Sequence, residues 1–293
     1  MKTNTARPKK SRDHSRLRRL TACATLLLMS SALFAQWPDY KDAKVPRGAD
    51  GKADLAGPTP RTAEGKPDLS GVWTYTRPPG PPIPESRATP TTGTVLPAGV
   101  RTSQFWNLGA SFEGGLPFQP WADELHKQRV ATNSMDNPDA HCLPLGVMQL
   151  HTHGQPRKMI QTPGVIVIVY EANGGIRQIF TDGRPLPKDP LPWWFGYSVG
   201  KWDGDTLVVE STSFRDLGWL DVEGSPLTET GKIIERFRRP DFGHLEIEVT
   251  IDDPKAYTKP WNVTVHQRVM ADTDLIEFIC QENDRSGPHL VGK

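Results

Sequence analysis

Few cysteines and no nucleotide-binding motif are the first features of this 293-residue sequence. Its three cysteines are too few for a small fold built on several disulfides. It contains neither a Gly-x-Gly-x-x-Gly sequence nor the lysine-containing Gly-rich loop that binds nucleotide phosphates, and it has no Gly-x-Ser-x-Gly elbow. These absences argue against dehydrogenases, kinases and serine hydrolases.

Long apolar runs are also missing, except near the N-terminus. The first 20 residues carry eight Lys or Arg and one acid, Asp13, and the stretch TACATLLLMSSALFA follows at 21–35. A basic segment, a short apolar segment and small residues at its end are typical of a cleaved export signal, and this stretch is too short to span a bilayer. We therefore expect cleavage after Ala35 and export to the periplasm or the medium.

An excess of positive charge is absent once that signal is removed. The whole chain has net charge +1 and residues 1–35 account for +7 of it, which leaves −6 for residues 36–293. An acidic protein lacks the basic surface that nucleic-acid binding requires. We expect neither nucleic-acid binding nor stable membrane insertion.

Two cysteines, Cys142 and Cys280, remain after cleavage. In an exported chain a single pair of cysteines favours a disulfide, which we predict between these two residues. The alternative is that Cys142 is a metal ligand, since it lies beside several histidines.

The composition divides the mature chain into three parts. Residues 36–67 have charges, Pro and Gly without apolar periodicity, which predicts an extended or disordered linker. Residues 68–293 form one predicted β domain, interrupted by a Pro-rich insertion at about 77–119. Residues 120–131 (PWADELHKQRVA) predict one short helix, with Pro120 in its first turn.

Short β-branched and aromatic runs separated by turn residues fill the rest of the chain. Residues 244–251 (HLEIEVTI) alternate most clearly, with Leu245, Ile247, Val249 and Ile251 on one face. Predicted strands lie at 68–76, 165–172, 176–182, 205–214, 232–239, 244–252, 261–270 and 274–282. We predict an all-β fold, an antiparallel up-and-down sheet that forms a closed or partly open β-barrel.

Several motifs along residues 68–290 resemble those of a known family. They are PDLSGVW, DNPDAHCLPLG, RKMIQTPG, FTDGRPLP, YSVGKWDGDTLVVES, DDPKAYTKPW and EFICQEN. They make the chain similar to a family of exported β-rich proteins of soil bacteria whose activity is not established. At the level of the fold alone, Gly71-Val72-Trp73 resembles the Gly-x-Trp of the first strand in calycin and lipocalin barrels. That resemblance implies a barrel that binds small molecules.

His151 and His153 raise the question of a metal site. If their segment is a strand, residues two apart share a face and both imidazoles can reach one divalent metal, with a third ligand from His141, His244, His266 or Asp182. The cupin pattern needs a Glu a few residues later, and HTHGQPRKMI has none. The alternative is that both histidines are simply hydrogen-bonded or solvated. We predict no cofactor, with a divalent metal at His151 and His153 as the alternative.

Residues 180–210 concentrate aromatic and acidic side chains. Flat rings stack on sugars or aromatic ligands, and carboxylates accept hydrogen bonds from hydroxyl groups. We predict a ligand pocket shaped by aromatic rings, with polar groups including His153 orienting the ligand; its core residues are Trp73, Arg177, Asp182, Trp193, Trp194 and Tyr197. Asp182, Asp205 and Glu210 are the catalytic candidates for glycoside cleavage, although Asp205 is also typical of a turn and Glu210 of an exposed strand position.

Arg236, Arg238 and Arg239 form a last cluster, beside Glu235. Arginines that point into a barrel can clamp a carboxylate ligand, whereas outward ones form cross-strand ion pairs with Glu246 or Glu248.

The preferred function is the binding of a small, partly apolar molecule. The alternatives are a cell-envelope hydrolase or lyase acting on glycosides or related compounds, metal-assisted or metal-free, and a structural envelope protein.

Overall fold

Alternating apolar and polar residues build a closed β-barrel in this protein. The computed structural model describes residues 40–77 and 104–282, so the predicted export signal at 1–35 and residues 78–103 of the predicted insertion lie outside the described residues. The strands are β1 (Gly71–Thr76), β2 (Arg157–Thr162), β3 (Val165–Tyr170), β4 (Ile176–Phe180), β5 (Tyr197–Asp203), β6 (Thr206–Thr212), β7 (Gly218–Trp219), β8 (Pro226–Leu227), β9 (Lys232–Arg238), β10 (His244–Asp252) and β11 (Trp261–Val269).

Helical structure is limited to short segments in the described residues. Helix α1 (Pro120–Ala131) has the predicted bounds, and helix α2 (Val147–Thr152) follows it. Single 3-10 turns lie at Leu108–Ser111, Pro138–His141 and Ala172–Gly174. Within these ranges, no helix is both long and apolar enough to cross a bilayer.

Nine strands close the barrel in the order β1-β11-β10-β9-β6-β5-β4-β3-β2, which confirms the predicted all-β, barrel-like fold. All neighbouring pairs are antiparallel except β4 and β5, which pair in parallel through Ile179–Ser198 and Phe180–Val199. Residues 181–196 therefore leave the sheet and return to it at the same level. Strands β7 and β8 form a separate two-stranded sheet.

The side chains of one face of each strand fill the interior. In β10, Leu245, Ile247, Val249 and Ile251 are completely buried, which confirms the alternation predicted for this segment. Trp73 fills part of the interior. Its indole Nε1 donates to the carbonyl of Leu69, and the guanidinium of Arg239 lies 4.8 Å from its ring centroid.

The prediction of a strand at 274–282 is wrong. These residues have no strand pairing in the structure. Strand β11 already pairs with β10 on one side and β1 on the other, so it offers no free edge to a further strand. Side-chain contacts hold the segment instead: Lys158 Nζ lies 2.8 Å from Asp274 Oδ1, and Cys280 forms the predicted disulfide with Cys142.

Residues 40–67, the part of the predicted linker that the structure describes, form a series of turns that contact the barrel. Leu55 and Gly57 accept backbone hydrogen bonds from Gly243 and Phe242. Arg61 pairs with Asp205 in the turn between β5 and β6, with a distance of 2.6 Å between Nη2 and Oδ2.

Helix α2 packs against side chains that point into the barrel. All six of its residues are buried. Its His151 side chain contacts Glu235 of β9, and its last carbonyls accept hydrogen bonds from Arg157 of β2 and Gln267 of β11. In the strand order, β2 and β11 both neighbour β1 and β9 is two strands beyond β11, so α2 contacts inward side chains from this part of the barrel wall.

The close packing of the residue before α2 predicts a strong requirement for glycine at position 146. Gly146 has an ordinary extended conformation, but a Cβ atom there would lie 2.2 Å from the carbonyl oxygen of Trp219. We expect Gly146→Ala to lower the free energy of unfolding by about 1–3 kcal/mol through overpacking. Urea unfolding measures this, with Gly154→Ala as control because a Cβ at Gly154 meets no atom within 4 Å. Equal effects of the two substitutions would contradict the placement of α2.

Candidate functional site

A layer of polar side chains crosses the barrel interior beneath α2. It consists of His151, Arg157, Tyr170, Arg177, Ser198, Ser211, Glu235 and Gln267, all at most 2 % exposed. We refer to these eight residues as the polar layer. Apart from His151, which comes from α2, they project from strands β2, β3, β4, β5, β6, β9 and β11.

Glu235 and Arg177 form the centre of the polar layer. The Arg177 guanidinium donates from Nη1 to Glu235 Oε1 at 2.9 Å and from Nη2 to Oε2. Its Nη2 also donates to the hydroxyl oxygens of Ser198 and Ser211 at 3.1 and 2.9 Å. This two-pronged geometry is the strong form of an Arg–carboxylate pair.

Both members of this pair are charged. Burial by itself raises the pKa of Glu235, but Arg177 and the hydrogen bond from His151 outweigh that effect and lower the pKa to about 2. Burial opposes the charged form of Arg177 as well, and Glu235 outweighs it, so the pKa of Arg177 lies above its ordinary value.

His151 is oriented by the same carboxylate. Its Nε2 lies 2.6 Å from Glu235 Oε1, while Nδ1 has no hydrogen-bond partner in the described part of the chain. Burial lowers the pKa of His151 and outweighs the opposing effect of Glu235, so the ring is neutral at pH 7. Because an ionised carboxylate only accepts, the proton resides on Nε2 and Nδ1 carries the lone pair.

Neutral His151 makes stability depend on pH. A histidine whose pKa is lowered by folding binds its proton more strongly in the unfolded chain, so folding is destabilised as pH falls below about 6.5. We expect His151→Gln to reduce the slope of unfolding free energy against pH between about 5 and 6.5 by up to 1.4 kcal/mol per pH unit. The half-exposed His244 provides the control, His244→Gln. An unchanged slope in His151→Gln would show that His151 is already charged.

Arg157 and Tyr170, from β2 and β3, are further members of the polar layer. Their Cα atoms are paired between β2 and β3, so their side chains share the interior face. Arg157 Nη1 donates to the carbonyls of Leu150 and His151 at 2.8 and 2.7 Å. Arg157 Nε and Nη2, Tyr170 Oη and Gln267 Oε1 have no partner among the described residues.

The residues predicted to form one pocket are divided between the interior and the surface. Trp73 and Arg177 lie inside the barrel. Asp182 is at the surface, where hydrogen bonds from Arg184 lower its pKa. Trp193 is 49 % exposed and contacts Tyr197 edge to face. The structure therefore does not bring these predicted residues together in one cavity.

Trp194 lines a separate apolar cleft. The cleft contains about 370 Å³ of space, including its open mouth. Its wall includes Trp219, Phe214 and Val147 of α2, and the Arg215 guanidinium lies 4.8 Å from the centroid of the Trp194 ring. This helix therefore separates an outer apolar cleft from the inner polar layer.

The three predicted catalytic acids are surface residues held in ion pairs. Asp182 pairs with Arg184, Asp205 with Arg61, and Glu210 with Lys232. Hydrogen bonds from Arg61 lower the pKa of Asp205. Each carboxylate thus has an exposed basic partner, an arrangement typical of surface stabilisation.

The strand on which the metal hypothesis depended is not formed. His151 is in α2 and His153 is the residue that ends it, so the two imidazoles do not share a strand face. His153 contacts Phe105 edge to face, with 4.8 Å between ring centroids. Among the described residues, no group of three or more His, Cys, Asp or Glu is arranged to hold a metal ion. His141 bonds to the carbonyl of Met135, His244 pairs with Asp241, and His266 lies on β11.

The arginines of β9 point outward. Arg238 pairs with Glu246, as the cross-strand alternative predicts, whereas Arg236 pairs with Asp203 of β5 rather than with Glu246 or Glu248. Arg239 donates to the carbonyls of Asp68, Ser70 and Phe242 and closes the barrel end near Trp73.

Sequence reasoning identified His151 and Arg177 of the polar layer but missed the other six as site residues: Arg157, Tyr170, Ser198, Ser211, Glu235 and Gln267. The period of two in KIIERFRR contains the signal for Glu235, because Ile233, Glu235 and Phe237 share one face and are all completely buried. The same period places Arg157 with Met159 on the inner face of β2. No family model, curated protein or solved structure matches this chain.

Proposed function

We propose that this protein is exported and binds a small, partly apolar molecule inside its barrel, where the polar layer holds the ligand's polar groups. The observation that carries the proposal is the set of unpartnered polar atoms on four completely or almost completely buried side chains: His151 Nδ1, Arg157 Nε and Nη2, Tyr170 Oη and Gln267 Oε1. The basic and apolar N-terminal segment and the disulfide support export.

The unpartnered atoms belong to one connected region. Arg157 Nη1 and Gln267 Nε2 both donate to the carbonyl of His151, and Tyr170 is the strand neighbour of Arg157. A buried polar group without a partner lowers the stability of the folded state by about 1–3 kcal/mol. Five such atoms in one layer therefore lower the stability of the empty protein considerably. A ligand that supplies complementary donors and acceptors would remove that penalty.

The walls around the polar layer suit an apolar ligand body. Trp73 is paired in register with Arg157, and Ile168 with Arg177, so large apolar side chains flank both guanidinium groups. Phe237 lies with its ring centroid 5.9 Å from that of His151. An apolar lining with a few convergent polar groups is the usual composition of a small-molecule site.

Native mass spectrometry of residues 36–293, exported and purified without added ligand, tests the proposal first. We expect an organic adduct that is lost on unfolding, or, for an empty protein, saturable binding of the neutral probe N-phenyl-1-naphthylamine. Ile168→Phe narrows the interior and should weaken probe binding at least tenfold, whereas Ile160→Phe, on the outer face of β2, should not. Failure to bind any organic molecule, or equal effects of the two substitutions, would overturn the proposal.

A second candidate function, proton abstraction from the bound molecule, follows from His151. The Glu235 carboxylate fixes the tautomer and leaves the basic Nδ1 unpartnered in the described residues, which is the arrangement of an oriented general base. Transfer of deuterium from D2O into the bound ligand tests it. Incorporation that is lost in His151→Phe, with the ligand still bound, supports catalysis; no incorporation in the wild type leaves binding as the function.

A further inference from the structure

Arg157 has one edge of its guanidinium group unused. Its Nη1 caps the carbonyls of Leu150 and His151 at the end of α2. Its Nε and Nη2, which form the opposite edge of the guanidinium plane, have no partner in the described ranges, and the side chain is 1 % exposed. Two parallel N–H groups in one plane match the two oxygens of a carboxylate.

The positive and negative charges of the polar layer also do not balance. Arg177 is neutralised by Glu235, and the layer holds no second carboxylate. His151 is neutral, so the second guanidinium, that of Arg157, leaves the layer with one net positive charge. A buried charge of this kind is normally paired, because isolated burial carries a large desolvation penalty.

We propose that the edge of Arg157 formed by Nε and Nη2 binds the carboxylate of a small, partly apolar monocarboxylic acid inside the barrel. The inference rests on the proposed interior binding function and specifies its ligand class. Tyr170 is the strand partner of Arg157 and shares its interior face, so we expect its hydroxyl to donate a third hydrogen bond to the same group. One guanidinium edge and one hydroxyl suit a singly charged carboxylate better than a phosphate dianion, which would bring an uncompensated charge into the barrel.

The contrast between the two interior arginines supports this assignment. Arg177 uses its donors on Glu235, Ser198 and Ser211 within the chain. Arg157 uses one nitrogen on backbone carbonyls and keeps a complete two-donor edge. Burial lowers the pKa of Arg157 to about 10, and a bound anion would reverse that shift.

The test compares hexanoate with hexanamide, which has a similar shape but no charge. Both are titrated into residues 36–293 labelled with 15N-arginine, before and after a cycle of unfolding and refolding so that slow entry past α2 does not hide binding. The Nε–H resonance of Arg157 is assigned by its absence in Arg157→Lys. We expect hexanoate to shift this resonance saturably, and to bind at least tenfold more tightly than hexanamide.

Variants separate binding from the structural role of Arg157. Arg157→Lys keeps the charge and can still donate to the carbonyls of α2, but it lacks the planar fork, so we expect it to fold and to bind hexanoate at least tenfold more weakly. Tyr170→Phe removes only the hydroxyl and should weaken hexanoate binding without changing that of hexanamide. Arg236→Lys, on the outer face of β9, serves as the matched control and should have no effect.

The outcomes distinguish the two proposals. Equal binding of hexanoate and hexanamide, or full binding by Arg157→Lys, overturns the carboxylate assignment and leaves interior binding intact. Binding of neither hexanoate nor hexanamide overturns the carboxylate assignment, and it overturns interior binding as well if no organic molecule co-purifies and N-phenyl-1-naphthylamine does not bind. A co-purified carboxylic acid whose removal restores the hexanoate response supports both.

Discussion

Replacing Glu235 with alanine is expected to lower the free energy of unfolding by about 3–5 kcal/mol. The substitution leaves the Arg177 guanidinium, which is buried and held by two serines, without its counter-charge. It also removes the acceptor of the His151 ring at the position where α2 enters the barrel. A buried charge that loses its partner is much more costly than a lost surface pair, because solvent cannot replace the lost interaction.

Urea unfolding followed by circular dichroism measures this effect, with Glu246→Ala as the matched control. Glu246 pairs with Arg238, whose side chain is 57 % exposed, so its loss should change stability by only about 0–1 kcal/mol. The double substitution Arg177→Met/Glu235→Leu removes both charges and should recover a large part of the loss. A loss in Glu235→Ala no greater than that in Glu246→Ala would show that Arg177 reaches solvent.

The same pair adds an acid-sensitive contribution to stability. The pKa of Glu235 is lowered to about 2 in the folded protein, so its contribution is complete above its ordinary value of 4.5 and declines as pH falls from there towards 2. His151 acts in a different window, because its lowered pKa destabilises the folded state below about 6.5. Two successive acid transitions in stability are therefore assigned to two neighbouring side chains.

The barrel was predictable because its signals are local. Alternation in residues 244–251 and the turn residues between the strands define β10 and its neighbours without knowledge of any distant contact. The helix at 120–131 was predictable from Pro120 and its following residues. Strand pairing explains the failure at 274–282, since closure by β1 depends on a segment about 200 residues away and removes the edge that another strand would need.

The functional residues were harder to predict because their significance depends on partners far along the chain. Glu235 and Arg177 are 58 residues apart, and only barrel closure brings them together. By contrast, Asp182 and Trp193 have the residue types of a binding site, yet the loop at 181–196 leaves the sheet and exposes them. The types of these residues predicted a pocket. Whether a side chain points into the barrel depends instead on its position in the strand, because alternate residues of a strand point inward and outward.

Helix α2 shows why the short HCLPLGVMQLHTHG segment was ambiguous. Its six helical residues are all buried, so the sequence shows neither the alternation typical of a strand nor the polar face typical of a helix. Its structure follows from its contacts: the glycine that fits against Trp219, the carbonyls capped by Arg157 and Gln267, and His151 held by Glu235. Tertiary contacts, rather than local propensity, stabilise so short a helix.

Removal of the disulfide is the second change with a large expected effect. The bond joins Cys142, just before α2, to Cys280 after β11, with a sequence separation of 138 residues. On the chain-entropy account, a loop of this length stabilises the folded state by about 5 kcal/mol, because it restricts the unfolded chain. We therefore expect Cys142→Ser/Cys280→Ser to lose much of a total stability that is typically about 5–15 kcal/mol for a domain.

The dependence of unfolding on urea identifies the origin of that loss. A chain without the cross-link expands further when unfolded and exposes more surface, so the slope of free energy against urea should increase along with the fall in midpoint. Wild-type protein treated with reductant should coincide with the double serine variant, and reductant should not change the variant further. A fall in midpoint with an unchanged slope would place the effect in the folded state instead, where Cys280 holds the segment that leads into α2.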